Sequence, residues 1–265
     1  MRHWMEQRRG SDSIPPGPFR AKMLNVERLE DHARHLAAEI KVAARPRVRS
    51  RAYYSRVADN ARALREAYRL LADDVHRGEA VPPSAEWLLD NFHLIEAEVV
   101  HVHRDLPPSY YRQLPTLAAI GLRSTARVHF LAVELLRHSD ARLDTERLER
   151  YLAAYQTGSP LSLGEIWAWP SVLKAALVEN LRRLTDELMA ARDARRLAVA
   201  FVRPLEAEAG DAELGPLPEE LPTAFVAELL SRMREFGPKA KGLREQLEAR
   251  LALHEQTPEH VIRSE

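Results

Sequence analysis

Apolar residues recur at spacings of three and four along most of the chain, the pattern that amphipathic helices produce. In the clearest run, over residues 53–76, the apolar positions are Val57, Ala61, Leu64, Tyr68, Leu71 and Val75. The pattern predicts helices over residues 26–43, 53–76, 84–106, 124–137, 144–155, 162–201, 223–236 and 238–253, with a single turn at 110–113. Runs of β-branched residues that would favour strands are missing. The chain is therefore predicted to be all-α.

Several polar residues stand where a helix should begin. Ser84 and Asp144 are predicted N-caps, and Ser162 with Glu165 has the Ser-x-x-Glu spacing of a capping box. Pro170 follows two turns later, so we expect a kink or an altered hydrogen-bond pattern there.

The loops between these helices are short, which favours an irregular antiparallel helical bundle or stacked helical hairpins. Residues 1–20 lack apolar periodicity and are predicted to form a flexible tail. Residues 21–203 should form the main helical domain, and the acidic, proline-rich stretch 204–222 a linker or exposed loop. Residues 223–265 would be a helical pair with a truncated end, because residues 257–259 (TPE) resemble the start of another helix.

Composition excludes several classes of protein. Lys and Arg together number 39, as do Asp and Glu, so no net positive field would attract nucleic acid. The chain has no cysteine, which excludes disulfides, thiolate metal sites and a cysteine nucleophile. No stretch approaches the ~18 consecutive apolar residues of a membrane helix, so no direct membrane span is expected.

Catalytic motifs are missing from the sequence. It contains no Asp-x-Asp, no glycine-rich phosphate loop, no Gly-x-Ser-x-Gly and no His-Glu-x-x-His. An enzyme that expels a diphosphate would need carboxylates to hold the metal that neutralises this leaving group. We therefore predict no catalytic residue and no cofactor within this chain.

One cluster of ionisable residues allows two interpretations. Asp90, His93 and Glu96 lie three residues apart and share a helix face, and His138 follows Glu134 by four residues on another predicted helix. Carboxylates and histidines at such spacings bind metals in helical bundles. The alternative is a buried polar cluster that makes hydrogen bonds between helices. We prefer the second interpretation and assign no metal.

The aromatic residues also allow two interpretations. The candidates for a platform that binds sugar rings are Tyr110, Tyr111, Trp167 and Trp169. Aromatic residues in helices more often pack in the core, however, and packing is the preferred interpretation.

Several segments resemble the N-terminal region of cyclic β-1,2-glucan synthases. They occur in the expected order within residues 20–190, and they are 86–93 (EWLLDNFH), 104–107 (RDLP), 110–115 (YYRQLP), 132–140 (AVELLRHSD), 150–156 (RYLAAYQ), 161–168 (LSLGEIWA) and 177–184 (LVENLRRL). Residues 121–129 (GLRSTARVH) depart from the glycine- and proline-rich pattern of the family. The resemblance implies a parent protein that is a very large bacterial inner-membrane enzyme and makes glucan from UDP-glucose.

The resemblance also implies a role for this segment. We expect a non-catalytic helical scaffold or regulatory segment whose partners are the remaining membrane and transferase domains, and with them the glucan. UDP-glucose would be the substrate of the parent enzyme, and the segment would be cytoplasmic, at the inner face of the inner membrane. The alternative is a stand-alone helical glycan-binding module or enzyme.

Overall fold

The computed structural model describes residues 17–43, 50–118, 125–206, 217–218, 221–237, 241–252 and 257. In these residues the regular structure is helical, with two isolated β-bridges, Val42 to Leu117 and Thr116 to Ala126. The predicted all-α fold is confirmed. The helices are α1 (Val26–Glu39), α2 (Ser50–His76), α3 (Pro83–Asp105), α4 (Pro108–Tyr111), α5 (Arg127–Ser139), α6 (Thr145–Gln156), α7 (Leu163–Glu206), α8 (Thr223–Phe236) and α9 (Lys241–Ala252).

Two of the three predicted helix starts have the predicted geometry. The Asp144 carboxylate accepts from the Arg147 N–H at 2.7 Å. In the capping box, the Glu165 N–H donates to Ser162 Oγ at 3.3 Å and the Ser162 N–H donates to Glu165 Oε2 at 2.9 Å. The predicted cap at Ser84 is wrong, because α3 already begins at Pro83. Proline suits the first helical position, where its missing N–H would have no partner in any case.

Helix α5 is buried on every side. Each residue from 127 to 136 is buried, including the polar Arg127, His129 and Glu134. It belongs to the compact unit Met1–Thr185, whose core also contains Leu29, Tyr111, Tyr151 and Val172 from surrounding helices. Arg127 and Glu134 have partners on neighbouring helices, in Glu165 and His32 respectively.

The predicted N-terminal tail is packed at its end. The side chain of Phe19 is buried, and its backbone N–H donates to Asn180 Oδ1 at 2.7 Å. Arg183 Nη1 donates to the Gly17 carbonyl at 2.7 Å. Residues 17–20 therefore lie against α7, while residues 1–16 of the predicted tail are outside the described residues.

The second compact unit is Asp186–Glu265, with its own core. Ala194, Ala198 and Val202, spaced by four along α7, pack with Phe225 and Leu229 of α8. The two units thus divide inside α7 rather than at the predicted linker 204–222. Most of that linker, residues 207–216 and 219–220, lies outside the described residues, as does the predicted helix start beyond Thr257.

None of the described helices carries an apolar stretch long enough to cross a membrane.

Candidate functional site

Arg127 and Glu165 form a buried ion pair between the beginnings of α5 and α7. Arg127 Nε donates to Glu165 Oε1 at 2.7 Å, and Arg127 Nη2 donates to Glu165 Oε2 at 2.5 Å. The same guanidinium donates to Ser159 Oγ at 2.9 Å and to the Pro160 carbonyl at 3.0 Å. Because the carboxylate also closes the capping box, Glu165 is fully occupied by structural contacts.

A second cluster of ionisable residues lies where α1 meets α5, and its histidines are partly exposed to solvent. Glu134 and His138 lie four residues apart on one face of α5, and His32 approaches them from α1. Glu134 Oε2 lies 3.3 Å from His32 Nε2 and 3.8 Å from His138 Nε2. The two imidazole rings are 4.5 Å apart between centroids. We call His32, Glu134 and His138 the His–Glu cluster.

Backbone hydrogen bonds place α1 beside α5 at this cluster. The Ala21 N–H donates to the Arg137 carbonyl and the Leu24 N–H donates to the His138 carbonyl, both at 3.0 Å. His138 Nδ1 lies 2.9 Å from the Lys22 carbonyl. Since a carbonyl oxygen only accepts, His138 carries its proton on Nδ1. In neutral His138, the lone pair is then on Nε2, the atom nearest to Glu134.

The charges around the cluster set its protonation. Burial raises the pKa of Glu134, but the hydrogen bond from His32 and the positive charge of Arg137 outweigh it, so this pKa lies below its ordinary value. Burial lowers the pKa of His138, and the nearby His32 and Arg137 act in the same direction. Near neutral pH, Glu134 is thus ionised and His138 is neutral.

The cluster borders a cavity of about 390 Å³. The wall of the cavity also includes Ala21, His35, Leu36 and Arg137. The side chains of His32 and His138 are 21% and 16% exposed, whereas that of Glu134 is 4% exposed. A small solute can therefore reach the imidazoles, with the carboxylate beneath them.

An apolar groove of about 510 Å³ lies between α3 and α7 within the first unit. Its apolar lining includes Trp87, Leu94, Ile95, Leu177, Leu181 and Leu184. Trp87 and Leu94 are each 53% exposed, and they lie two turns apart on α3 in the lining of the same groove. Glu98 and Lys174 form an ion pair of 2.6 Å in the same lining.

The residues of the predicted ionisable cluster do not come together. Asp90, His93 and Glu96 are exposed on α3, and Glu96 pairs with Arg65 at 2.8 Å. His138 instead belongs to the His–Glu cluster, which among the described residues is the three-residue group with metal-ligand geometry. The sequence indicated the Glu134 and His138 pair through its spacing, but it gave no signal for His32.

The four candidate aromatic residues do not share one exposed face. Tyr111 and Trp169 are buried, and Tyr111 stacks on Tyr53 with ring centroids 4.0 Å apart. The Tyr110 hydroxyl donates to the Gly164 carbonyl at 2.5 Å, while Trp167 is 73% exposed. The positions of Tyr111 and Trp169 agree with packing, the preferred interpretation.

Similarity to a known protein supports the resemblance found in the sequence. The chain is 35% identical over 196 residues, or 72% of its length, to the cyclic β-(1,2)-glucan synthase NdvB of Rhizobium meliloti (strain 1021). The chain is similar to part of a glucan synthase. It spans about 7% of that synthase, and no protein-family model matches it. The predicted resemblance is confirmed.

Proposed function

We propose that this chain is a non-catalytic helical module of a cyclic β-1,2-glucan synthase-like protein and that its apolar groove docks on another domain of that protein. The observation that carries the proposal is the similarity to the synthase, which is 35% identical over 72% of this chain. The match covers only 7% of the synthase itself. A segment of this size leaves the rest of such a protein to perform catalysis.

The groove supplies the docking surface. Both of its walls come from segments that carry the resemblance, since Trp87 lies in residues 86–93 and Leu181 in residues 177–184. Exposed contiguous apolar surface with a polar rim is typical of protein interfaces. The Glu98 and Lys174 ion pair provides that polar component.

The other activities of such a protein belong to other domains. The chain carries no transferase motif, so a separate domain would use UDP-glucose and form the glucan. Membrane attachment would likewise come from other segments, with this module on the cytoplasmic side of a bacterial inner membrane. The scaffold then acts by holding or regulating the catalytic domain.

A chimera tests this proposal. The matching segment of the Rhizobium meliloti synthase is replaced by this chain, and production of cyclic β-1,2-glucan from UDP-glucose is measured in membranes. Leu94→Asp places a charge in the groove and should lower glucan production at least ~10-fold, since one buried unpaired charge costs more than the ~1.4 kcal/mol of a tenfold change. Val100→Asp is the matched control, because Val100 is exposed on the same helix and does not line the groove.

Equal glucan production by the two variants would contradict docking through the groove.

The alternative function, a stand-alone glycan-binding module, predicts a different result. In that case the purified chain would bind cyclic glucan by calorimetry, and Trp167→Ala, at the most exposed of the candidate aromatics, would abolish the binding.

A further inference from the structure

The His–Glu cluster has the donor set and spacing of a metal site. One ligand atom from each of His32, Glu134 and His138 lies within 4.8 Å of the other two. Ligand atoms around tetrahedral zinc lie roughly 3.4 Å apart, given zinc–nitrogen bonds of about 2.1 Å. The 3.3 Å from His32 Nε2 to Glu134 Oε2 already matches this spacing. The distance of 3.8 Å between His138 Nε2 and Glu134 Oε2 would have to contract by ~0.4 Å.

The surrounding contacts orient the ligands as in known metal sites. Histidine ligands commonly donate their other ring N–H to a backbone carbonyl, which fixes the tautomer and the ring direction. His138 does this through Nδ1 and the Lys22 carbonyl at 2.9 Å. Glu134 Oε1 accepts from Arg137 Nη1 at 3.0 Å, so Oε2 is the carboxylate oxygen that faces both imidazoles.

We propose that His32, Glu134 and His138 bind a divalent transition-metal ion, with zinc as the preferred occupant. His32 Nε2, Glu134 Oε2 and His138 Nε2 are the protein ligands, and a water from the adjoining cavity completes the coordination. Two histidines and one glutamate with an open position are a recurrent zinc-binding set. Imidazole ligands favour zinc, copper and nickel over magnesium and calcium.

A proton and a nearby positive charge compete with a bound ion at this site. Without metal, His32 Nε2–H donates to Glu134, so the metal takes the place of this proton. Arg137 also faces the cavity, and its positive charge opposes the cation.

The site would link α1 to α5 independently of the apolar groove. His32 and Glu134 lie on two helices and are 102 residues apart in sequence, so a bound ion would stabilise the folded chain against unfolding. This inference does not depend on the proposed function, since it concerns the isolated chain.

Zinc binding to the purified full chain tests the proposal. The protein is stripped with EDTA, dialysed against zinc, and analysed by metal analysis and calorimetry. We expect one zinc ion per chain. His32→Asn and His138→Asn should each weaken zinc binding at least ~100-fold. Even the removal of a residue that only hydrogen-bonds to a metal ligand lowers metal affinity ~10- to 100-fold. His93→Asn is the matched control, because His93 is exposed on α3, outside the cluster, and it should bind zinc as the wild type does.

Cobalt(II) gives a readout that loss of folding does not imitate. Cobalt bound in place of zinc should give the visible absorption of a four-coordinate site, and His32→Asn should abolish it while the helical circular dichroism is retained. His32 is the least buried of the three ligands, so this variant should fold even if Glu134→Gln does not. The proposal would be overturned if the wild type retained no zinc after dialysis. It would also be overturned if His32→Asn and His93→Asn bound zinc with equal affinity.

Discussion

His129 occupies an unusual position for an ionisable residue. It is buried within α5, and neither ring nitrogen is hydrogen-bonded to another of the described residues. The ring packs edge-on against Tyr53 at 5.5 Å between centroids. Burial lowers the pKa of His129 well below 6.5, and the positive charges of Arg56 and Arg183 act in the same direction. The folded protein therefore holds this imidazole neutral.

His129 should make the protein sensitive to mild acid. In the unfolded chain a histidine takes up its proton at about pH 6.5, whereas the folded protein does not accept it at His129. The free energy of unfolding should thus fall as the pH drops below about 6.5. In urea titrations at about pH 7 and about pH 5, His129→Phe should lose less stability between the two conditions than the wild type does.

A non-titrating variant of the same helix is the control. Val133→Ala removes buried volume from α5 and should lower the free energy of unfolding equally at both pH values. His138, whose pKa is also lowered, remains in the His129→Phe variant, so the acid sensitivity should decrease without vanishing. An unchanged acid sensitivity in His129→Phe would show that His129 is not the group responsible.

The Arg127 and Glu165 pair should be costly to break. Glu165→Gln removes one charge and leaves the Arg127 guanidinium buried, which should cost about 3–5 kcal/mol in the free energy of unfolding. Glu96→Gln breaks the exposed pair with Arg65 and should cost less than about 1 kcal/mol. Urea denaturation followed by circular dichroism compares the two, and equal costs would contradict the importance of the buried pair.

The sequence could indicate individual residues of the sites but not their long-range partners. The spacing of Glu134 and His138 predicted a shared helix face, because that spacing is local. His32 joins them only because residues 21–24 hydrogen-bond to the end of α5, a contact that no periodicity encodes. The predicted group of Asp90, His93 and Glu96 shares a face of α3, but that face is exposed.

At the scale of elements, α7 differs most from its expected role. Its start was predictable from the Ser162 and Glu165 capping box, and the helix continues through Pro170 to Glu206. The acidic, proline-rich stretch 204–222 gave the stronger boundary signal in the sequence. The units nevertheless divide within α7, because Ala194, Ala198 and Val202 belong to the second core. Local composition does not show which core a continuous helix serves.

This assignment of α7 predicts a selective defect. Ala198 is fully buried in the second core, so Ala198→Asp places an unpaired carboxylate among apolar side chains. Amide hydrogen exchange should show loss of protection in α8 and α9, while α5 in the first unit keeps its protection.

Ala200→Asp is the matched control on the same helix, because Ala200 is exposed and should tolerate the charge. Protection in α8 and α9 that survives Ala198→Asp would show that the end of α7 does not support the second core. Loss of protection in α5 as well would show that the two units unfold together.

At the scale of the whole molecule, two observations support the proposed docking. The chain matches only about 7% of the glucan synthase that it resembles, and its first unit exposes an apolar groove. Burial of apolar surface stabilises an interface by roughly 25 cal/mol per Å² before the costs of association. Trp87 and Leu94 would supply much of this area. The proposed docking would bury this surface against another domain.

Cysteine protection within the chimeric synthase tests the docking of the groove most directly. The chain has no cysteine, so Leu94→Cys and Val100→Cys each introduce a single thiol on α3 whose modification by a maleimide can be followed by peptide mass spectrometry. Both thiols should react in the isolated chain. In the chimera, docking predicts that the thiol of Leu94→Cys is protected while that of Val100→Cys still reacts. Equal reactivity of the two thiols in the chimera would contradict docking through the groove.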